Sequence, residues 1–125
     1  MKHALVIDDN PQNLRVMVQL LAKQGVTSTE ILDSRQLPGL LPTLTQIDVI
    51  FLDLEMPGLD GYKVKDLLKS RFSATPIIAY TVHVSEINAA RKLGFDGFLG
   101  KPLDNVRFPD QLARIFNGEP VWERG

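Results

Sequence analysis

Short apolar runs alternate with stretches of helical periodicity along the chain. Ala4-Leu5-Val6-Ile7 reads as a first strand. Pro11 then stands near a helix start, Leu14, Met17, Val18 and Leu21 follow at helical spacing, and Gly25 suits the exit. Glu30-Ile31-Leu32 is a weaker, more polar run and predicts an edge strand. Residues 35–45 predict a second helix, which Pro38 and Pro42 keep short or irregular. Val49-Ile50-Phe51-Leu52 is unbroken and rich in branched and aromatic residues, as a buried parallel strand should be. It ends in Asp53 and is closed by a loop containing Pro57-Gly58. A third helix over residues 62–68 turns Val64, Leu67 and Leu68 inward. Pro76-Ile77-Ile78-Ala79-Tyr80 is a fourth strand, and residues 85–94 form a helix with Ser85 near its start and Gly94 as its stop. Gly97-Phe98-Leu99 makes a brief fifth strand, and a last helix runs from Pro109 to Phe116. Residues 119–125 read as a C-terminal tail, which leaves 1–118 as one domain.

This order of elements predicts an α/β fold. Alternating strands and helices pack as a right-handed, doubly wound parallel sheet with helices on both faces.

Composition narrows the chemistry. The chain has 125 residues, 44% of them hydrophobic, enough for one domain with its own core. It has no cysteine, so disulfides and thiolate metal sites are excluded. That absence fits a reducing compartment, and with no apolar stretch of transmembrane length and no secretory leader the expected location is cytoplasmic. The net charge is −1 and the basic residues are scattered, which argues against a nucleic-acid-binding surface.

The carboxyl ends of the strands carry the candidate chemistry, because ligands of open α/β sheets bind there. Strand one ends in Asp8-Asp9, strand three in Asp53, strand four in Thr81, and strand five runs into Lys101-Pro102. Taken singly, each has a plainer role. Asp8-Asp9 suits a polar turn with a helix cap, Asp53 a Pro-Gly turn, Thr81 a strand-end cap and Lys101 a solvated loop charge. His3 and His83 have no second histidine at metal-ligand spacing. Together the groups describe one reaction. Three crowded carboxylates call for a divalent cation, and oxygen-only ligands favour Mg²⁺. A lysine charge and a threonine hydroxyl suit a second anion. Those are the parts of phosphoryl transfer to a carboxylate nucleophile.

The residues Val6-Ile7-Asp8-Asp9-Asn10, Asp53 to Gly61, Ile77-Ile78-Ala79-Tyr80-Thr81 and Gly97-Phe98-Leu99-Gly100-Lys101-Pro102 carry a resemblance. In this order and at these separations they resemble the receiver domain of two-component response regulators, in its single-domain, chemotaxis-regulator-like form, over nearly all of residues 3–117. The resemblance implies a flavodoxin-like, five-stranded sheet of strand order 2-1-3-4-5. It implies that Asp53 accepts a phosphoryl group from a phosphohistidine. Asp8, Asp9, Asp53 and the backbone carbonyl of Glu55 would hold Mg²⁺, for which Mn²⁺ can substitute. Thr81 and Lys101 would bind phosphoryl oxygens, and the Lys101-Pro102 peptide would be cis. Thr81 and Phe98 would form a switch that alters the surface built from helix four, strand five and helix five.

The implied partners are a sensor histidine kinase or histidine phosphotransfer protein and a downstream protein target. No direct contact with nucleic acid or membrane is expected, and the chain would be a monomer or a phosphorylation-dependent dimer. It would not be an enzyme beyond its own phosphorylation and slow dephosphorylation. No output domain follows the last helix, so the expected output is protein contact, unless the chain is cut from a longer protein.

Three positions depart from the pattern. Val82 stands where many receivers have Ala or Gly and is expected to narrow access to the site. Glu55 adds an anion near the attacking water and is expected to alter dephosphorylation. Phe98 has no hydroxyl, so any switch must work by packing. Alternatives remain: an aspartyl-nucleophile phosphatase, a nucleotide or flavin module, and a receiver-like scaffold that is never phosphorylated. The phosphatase pattern places the nucleophile before the acidic pair and an Asp two residues after it, whereas here the pair comes first and position 55 is Glu. A nucleotide site needs a Gly-, Ser- or Thr-rich loop after strand one, where this chain has Asp8-Asp9-Asn10-Pro11.

Overall fold

The computed structural model describes residues 1–56 and 59–124. Pro57 and Gly58 of the expected loop, and Gly125 of the expected tail, lie outside the described residues. Six parallel strands form the main sheet in the order β2-β1-β3-β6-β7-β8. They are β1 (His3–Ile7), β2 (Thr27–Ile31), β3 (Val49–Asp53), β6 (Ile77–Thr81), β7 (Gly97–Gly100) and β8 (Val121–Glu123). The first five reproduce the predicted order, and β8 adds one strand beyond it. Residues 121–123, read from sequence as part of a tail, are therefore an edge strand, with Gly97 opposite Val121, Phe98 opposite Trp122 and Leu99 opposite Glu123. A small antiparallel hairpin, β4 (Glu55–Met56) with β5 (Leu59–Asp60), follows β3.

Side-chain alternation along the strands builds two cores. Leu5, Ile7, Ile50, Leu52, Ala79 and Phe98 face one side and Ala4, Val6, Val49, Phe51, Ile78 and Tyr80 the other. Helices α1 (Pro11–Lys23) and α5 (Phe108–Phe116) cover the second face through Leu14, Met17, Leu21, Phe108 and Leu112. Helices α2 (Leu37–Leu40), α3 (Gly61–Arg71) and α4 (Ile87–Lys92) cover the first through Leu37, Val64, Leu68, Ile87 and Ala90. Among the described residues no helix is long and apolar enough to cross a membrane.

Local chemistry explains the element ends. Asn10 caps α1 by accepting from the N–H groups of Gln12 and Asn13, and Pro11 occupies the first turn, where a missing N–H costs nothing. Gly25 turns the chain out of α1 at φ +75°, a region that side chains rarely adopt. The second helix is broken as its prolines foretold: Ser34–Gln36 and Leu41–Thr43 are 3₁₀ turns on either side of α2. The fourth helix is shorter than its sequence pattern, with a 3₁₀ turn over Val84–Glu86 before α4 begins.

Candidate functional site

Parallel pairing brings every strand's carboxyl end to one edge. Ile7 lies opposite Leu52, Asp53 opposite Tyr80, and Thr81 opposite Gly100, so the residues at or just past those ends become neighbours. Asp8, Asp9 and Asp53 each offer a carboxylate oxygen within 4.8 Å of the others. Asp8 is fully buried and Asp53 is 3% exposed, whereas Asp9 stands exposed at the rim. Lys101 reaches in from the loop after β7, its Nζ 3.1 Å from Asp8 Oδ2 and 3.5 Å from Asp53 Oδ2. Its backbone N–H donates to the Thr81 carbonyl at 2.9 Å, which ties the lysine loop to the end of β6. The Lys101-Pro102 peptide is cis.

Each carboxylate is held by named donors. Asp8 Oδ1 accepts from the Asn10 N–H at 3.0 Å, and Asp53 Oδ1 from the Glu55 N–H at 2.9 Å. Burial pushes the Asp53 carboxyl up to about 7, and the nearby Asp8 charge adds to the rise. The Glu55 N–H and the Lys101 charge pull the other way without cancelling it. One lysine thus faces two buried carboxylates, and the site carries an excess of negative charge.

Thr81 is fully buried and its Oγ1 accepts from the His83 N–H at 3.1 Å. Phe98 is fully buried too, with Ala79 and Trp122 opposite it on the flanking strands. Val82 is 60% exposed, outside the buried cluster. The Glu55 side chain is exposed and meets His83, Oε2 to Nε2 at 3.2 Å.

Tyr80 is the site residue that sequence reasoning passed over. Its hydroxyl donates to Asp8 Oδ2 at 2.8 Å, and Lys101 Nζ sits 4.5 Å from its ring centroid. Burial and the surrounding carboxylates raise its pKa far above that of an ordinary phenol, so it acts as a donor. The signal was available: a tyrosine in a buried strand needs a partner for its hydroxyl, and the residue beside it ends the strand at the acidic edge. A second missed pair is Tyr62 with Glu86, hydroxyl to Oε2 at 2.9 Å, which joins α3 to the turn before α4.

A hard divalent cation fits this donor set. The candidate ligands are all oxygens, two of the three carboxylates are buried, and their charge exceeds what Lys101 neutralises.

Comparison with known proteins agrees with this geometry. The sequence model described as "Response regulator receiver domain" matches residues 4–113. Among related proteins, the signal transduction histidine-protein kinase BarA of Escherichia coli (strain K12) is 29% identical over 124 residues, covering 96% of this chain and 13% of that protein. Histidine kinase CKI1 of Arabidopsis thaliana is 35% identical over 125 residues, covering 84% of this chain and 11% of that protein. This chain therefore spans a small part of the length of those relatives. Among solved structures, the Salmonella typhimurium RcsB response regulator superposes with a TM-score of 0.83 at 26% identity, covering 98% of this chain and 63% of that one. The Vibrio cholerae chemotaxis protein CheY4 superposes with a TM-score of 0.80 at 23% identity, covering 92% of this chain and 98% of that one, a likeness of fold. The chain belongs to the response regulator receiver domain family of two-component phosphorelay signalling.

Proposed function

We propose that Asp53 is the phosphoacceptor of a signalling switch. The observation that carries this reading is the placement of a nearly buried Asp53 carboxylate between Asp8, Asp9 and the Lys101 ammonium. An Asp53 oxygen attacks the phosphorus of a phosphohistidine on a histidine kinase or phosphotransfer protein. An O–P bond forms, the N–P bond breaks, and its electron pair stays on the imidazole. Water later attacks the same phosphorus, the acyl phosphate O–P bond breaks, and inorganic phosphate and the free carboxylate return.

Mg²⁺, or Mn²⁺ in its place, would be held by Asp9, Asp53 and the Glu55 carbonyl, with Asp8 beside them, and would supply charge neutralisation between carboxylate and phosphoryl oxygens. Lys101 neutralises another phosphoryl oxygen and Thr81 Oγ1 donates to a third. The Glu55 N–H, already on Asp53 Oδ1, holds the carboxylate in place. Glu55 and Val82 tune the rates by charge and bulk near the mouth of the site. Movement of Thr81 and repacking of Phe98 would carry the state to the α4–β7–α5 surface, which a protein partner reads. The chain does no chemistry on other substrates. Its similarity to histidine kinases supports a kinase or phosphotransfer partner upstream.

Incubation with Mg²⁺ and acetyl phosphate should add one phosphoryl group by intact mass. Asp53→Asn should abolish the uptake, and an equal gain by that variant would move the acceptor elsewhere.

A further inference from the structure

Strand β8 lies across the surface that would carry the output. It pairs with the outer edge of β7 and bridges the two flanking helices. Val121 is buried in the α1/α5 core. Trp122 packs against the opposite core, and the Arg91 guanidinium of α4 stands 4.6 Å from its ring centroid. Glu123 is held by Arg107 beside α5 and by Gln111 and Arg114 within it. Thus three consecutive residues are gripped by one core, by the other core with α4, and by α5 with its approach.

The seat for this strand is cut into β7. A Cβ on Gly97 would lie 2.8 Å from the Val121 carbonyl oxygen and equally close to Ile78 Cδ1, and one on Gly100 would overlap the Arg124 carbonyl and come 2.9 Å from Val84 Cγ1. No side chain fits at either position while β8 is docked. The same β7 is the strand nearest the chemistry. Gly100 pairs with Thr81 and immediately precedes Lys101, and Phe98 lies directly opposite Trp122. β7 pairs with Thr81 through Gly100 on one side and with β8 through Gly97, Phe98 and Leu99 on the other, so a shift of Thr81 and Lys101 toward a phosphoryl group is passed to β8 through β7. Phe98 is fully buried, and Trp122 packs on the cluster that contains it, so repacking Phe98 also disturbs Trp122.

We propose that residues 121–124 are a latch filling a strand-accepting groove on β7 between α4 and α5, and that phosphorylation of Asp53 releases it. This inference rests on the phosphoacceptor reading above. Release uncovers the polar edge of β7 together with Arg91 and Arg114. The occupant this groove fits is an extended partner segment carrying an aromatic residue and a carboxylate, entering by strand addition in place of Trp122-Glu123. Coupling is reciprocal: a chain whose latch is weakened should hold a higher fraction of phosphorylated Asp53 at a given donor concentration.

Trp122 is the single tryptophan of the chain and reports directly on the latch. The full chain is treated with Mg²⁺ and acetyl phosphate, uptake is followed by intact mass, and quenching of Trp122 by acrylamide is measured before and after. Severalfold stronger quenching on phosphorylation is expected. Glu123→Gln, which keeps the side chain's shape, should show raised quenching before any phosphoryl donor is added, and Gly100→Ala should do the same by steric exclusion. A labelled peptide with the sequence of residues 118–125 should bind the phosphorylated chain more tightly than the untreated one. Full uptake with unchanged quenching would overturn the latch and leave the phosphoacceptor reading intact. Release without preferential peptide binding would overturn the strand-accepting groove. Absence of uptake would overturn the phosphoacceptor reading, and the coupling with it.

Discussion

The Tyr80 hydroxyl donates to Asp8 Oδ2 at 2.8 Å, on the same oxygen that Lys101 Nζ approaches at 3.1 Å. With the Asn10 N–H on Oδ1, three donors converge on one buried carboxylate. Asp8 is therefore fixed in place before any ligand arrives, and few of its lone pairs remain for a cation. On the proposed reading, Asp9 and Asp53 would hold a cation directly and Asp8 would reach it through water.

Removing the Tyr80 hydroxyl should weaken the fold. Tyr80→Phe keeps the ring that meets Phe51 edge-on, with centroids 6.4 Å apart. It leaves a buried anion with one donor fewer, a loss of about 1.5–3 kcal/mol for a hydrogen bond to a charged group. Urea denaturation of the two proteins at neutral pH checks this, and equal midpoints would contradict it.

Lys101→Met should cost more. The lysine side chain is 8% exposed and is the cation between Asp8 and Asp53. Stranding two buried carboxylates costs about 3–5 kcal/mol. The variant should also take up phosphoryl groups from acetyl phosphate much more slowly. Added Mg²⁺ should restore part of the stability and little of the uptake, as read by thermal melts and intact mass.

Asp53→Asn should stabilise the metal-free protein in a pH-dependent way. Asp53 titrates near 7 when folded, against an ordinary value of 3.8. The folded state thus holds its proton more tightly than the unfolded chain, and ionisation costs stability as pH rises through that window. Asparagine escapes this cost. Its advantage should be small at pH 4 and grow to about 4 kcal/mol above pH 7. Melting curves across this range in chelator test it, and a constant difference would point to packing instead.

The edge strand should detach in acid. The Gln111 amide and the Arg114 and Arg107 guanidinium groups hold the Glu123 carboxyl below its usual 4.5. A lowered carboxyl contributes stability that is fully present above 4.5 and is lost as pH falls through the folded value. Hydrogen exchange of residues 121–123 should therefore accelerate below pH 4.5, after correction for intrinsic rates, before the β1 and β3 amides do. In Glu123→Gln the acid-dependent step should vanish.

Much of the fold and of the acidic site was legible because it is written locally. The run from Val49 to Leu52 is apolar at every position, as only a strand covered on both faces needs to be, and the carboxylate that follows is placed at the ligand edge by topology alone. Pro38 and Pro42 announced a broken second helix through the N–H groups they lack. The last strand was illegible. Val121-Trp122-Glu123 is too short to display an alternation, and its stability comes from glycines, arginines and a glutamine supplied by other elements. Tyr80 could be seen as a residue needing an acceptor, but that acceptor lies 72 positions away.

Periodicity and strand-end chemistry in the sequence determine the order of elements, the two covered faces of the sheet, and which carboxylates, hydroxyl and lysine gather at its carboxyl edge. These follow from side-chain alternation and from parallel pairing, which a linear pattern records. Tertiary structure alone decided that Tyr80 and Lys101 share one oxygen of Asp8, that Glu55 meets His83, and that residues 121–123 close the sheet over β7. Such pairings depend on clearances and angles between distant segments, and no local propensity encodes them.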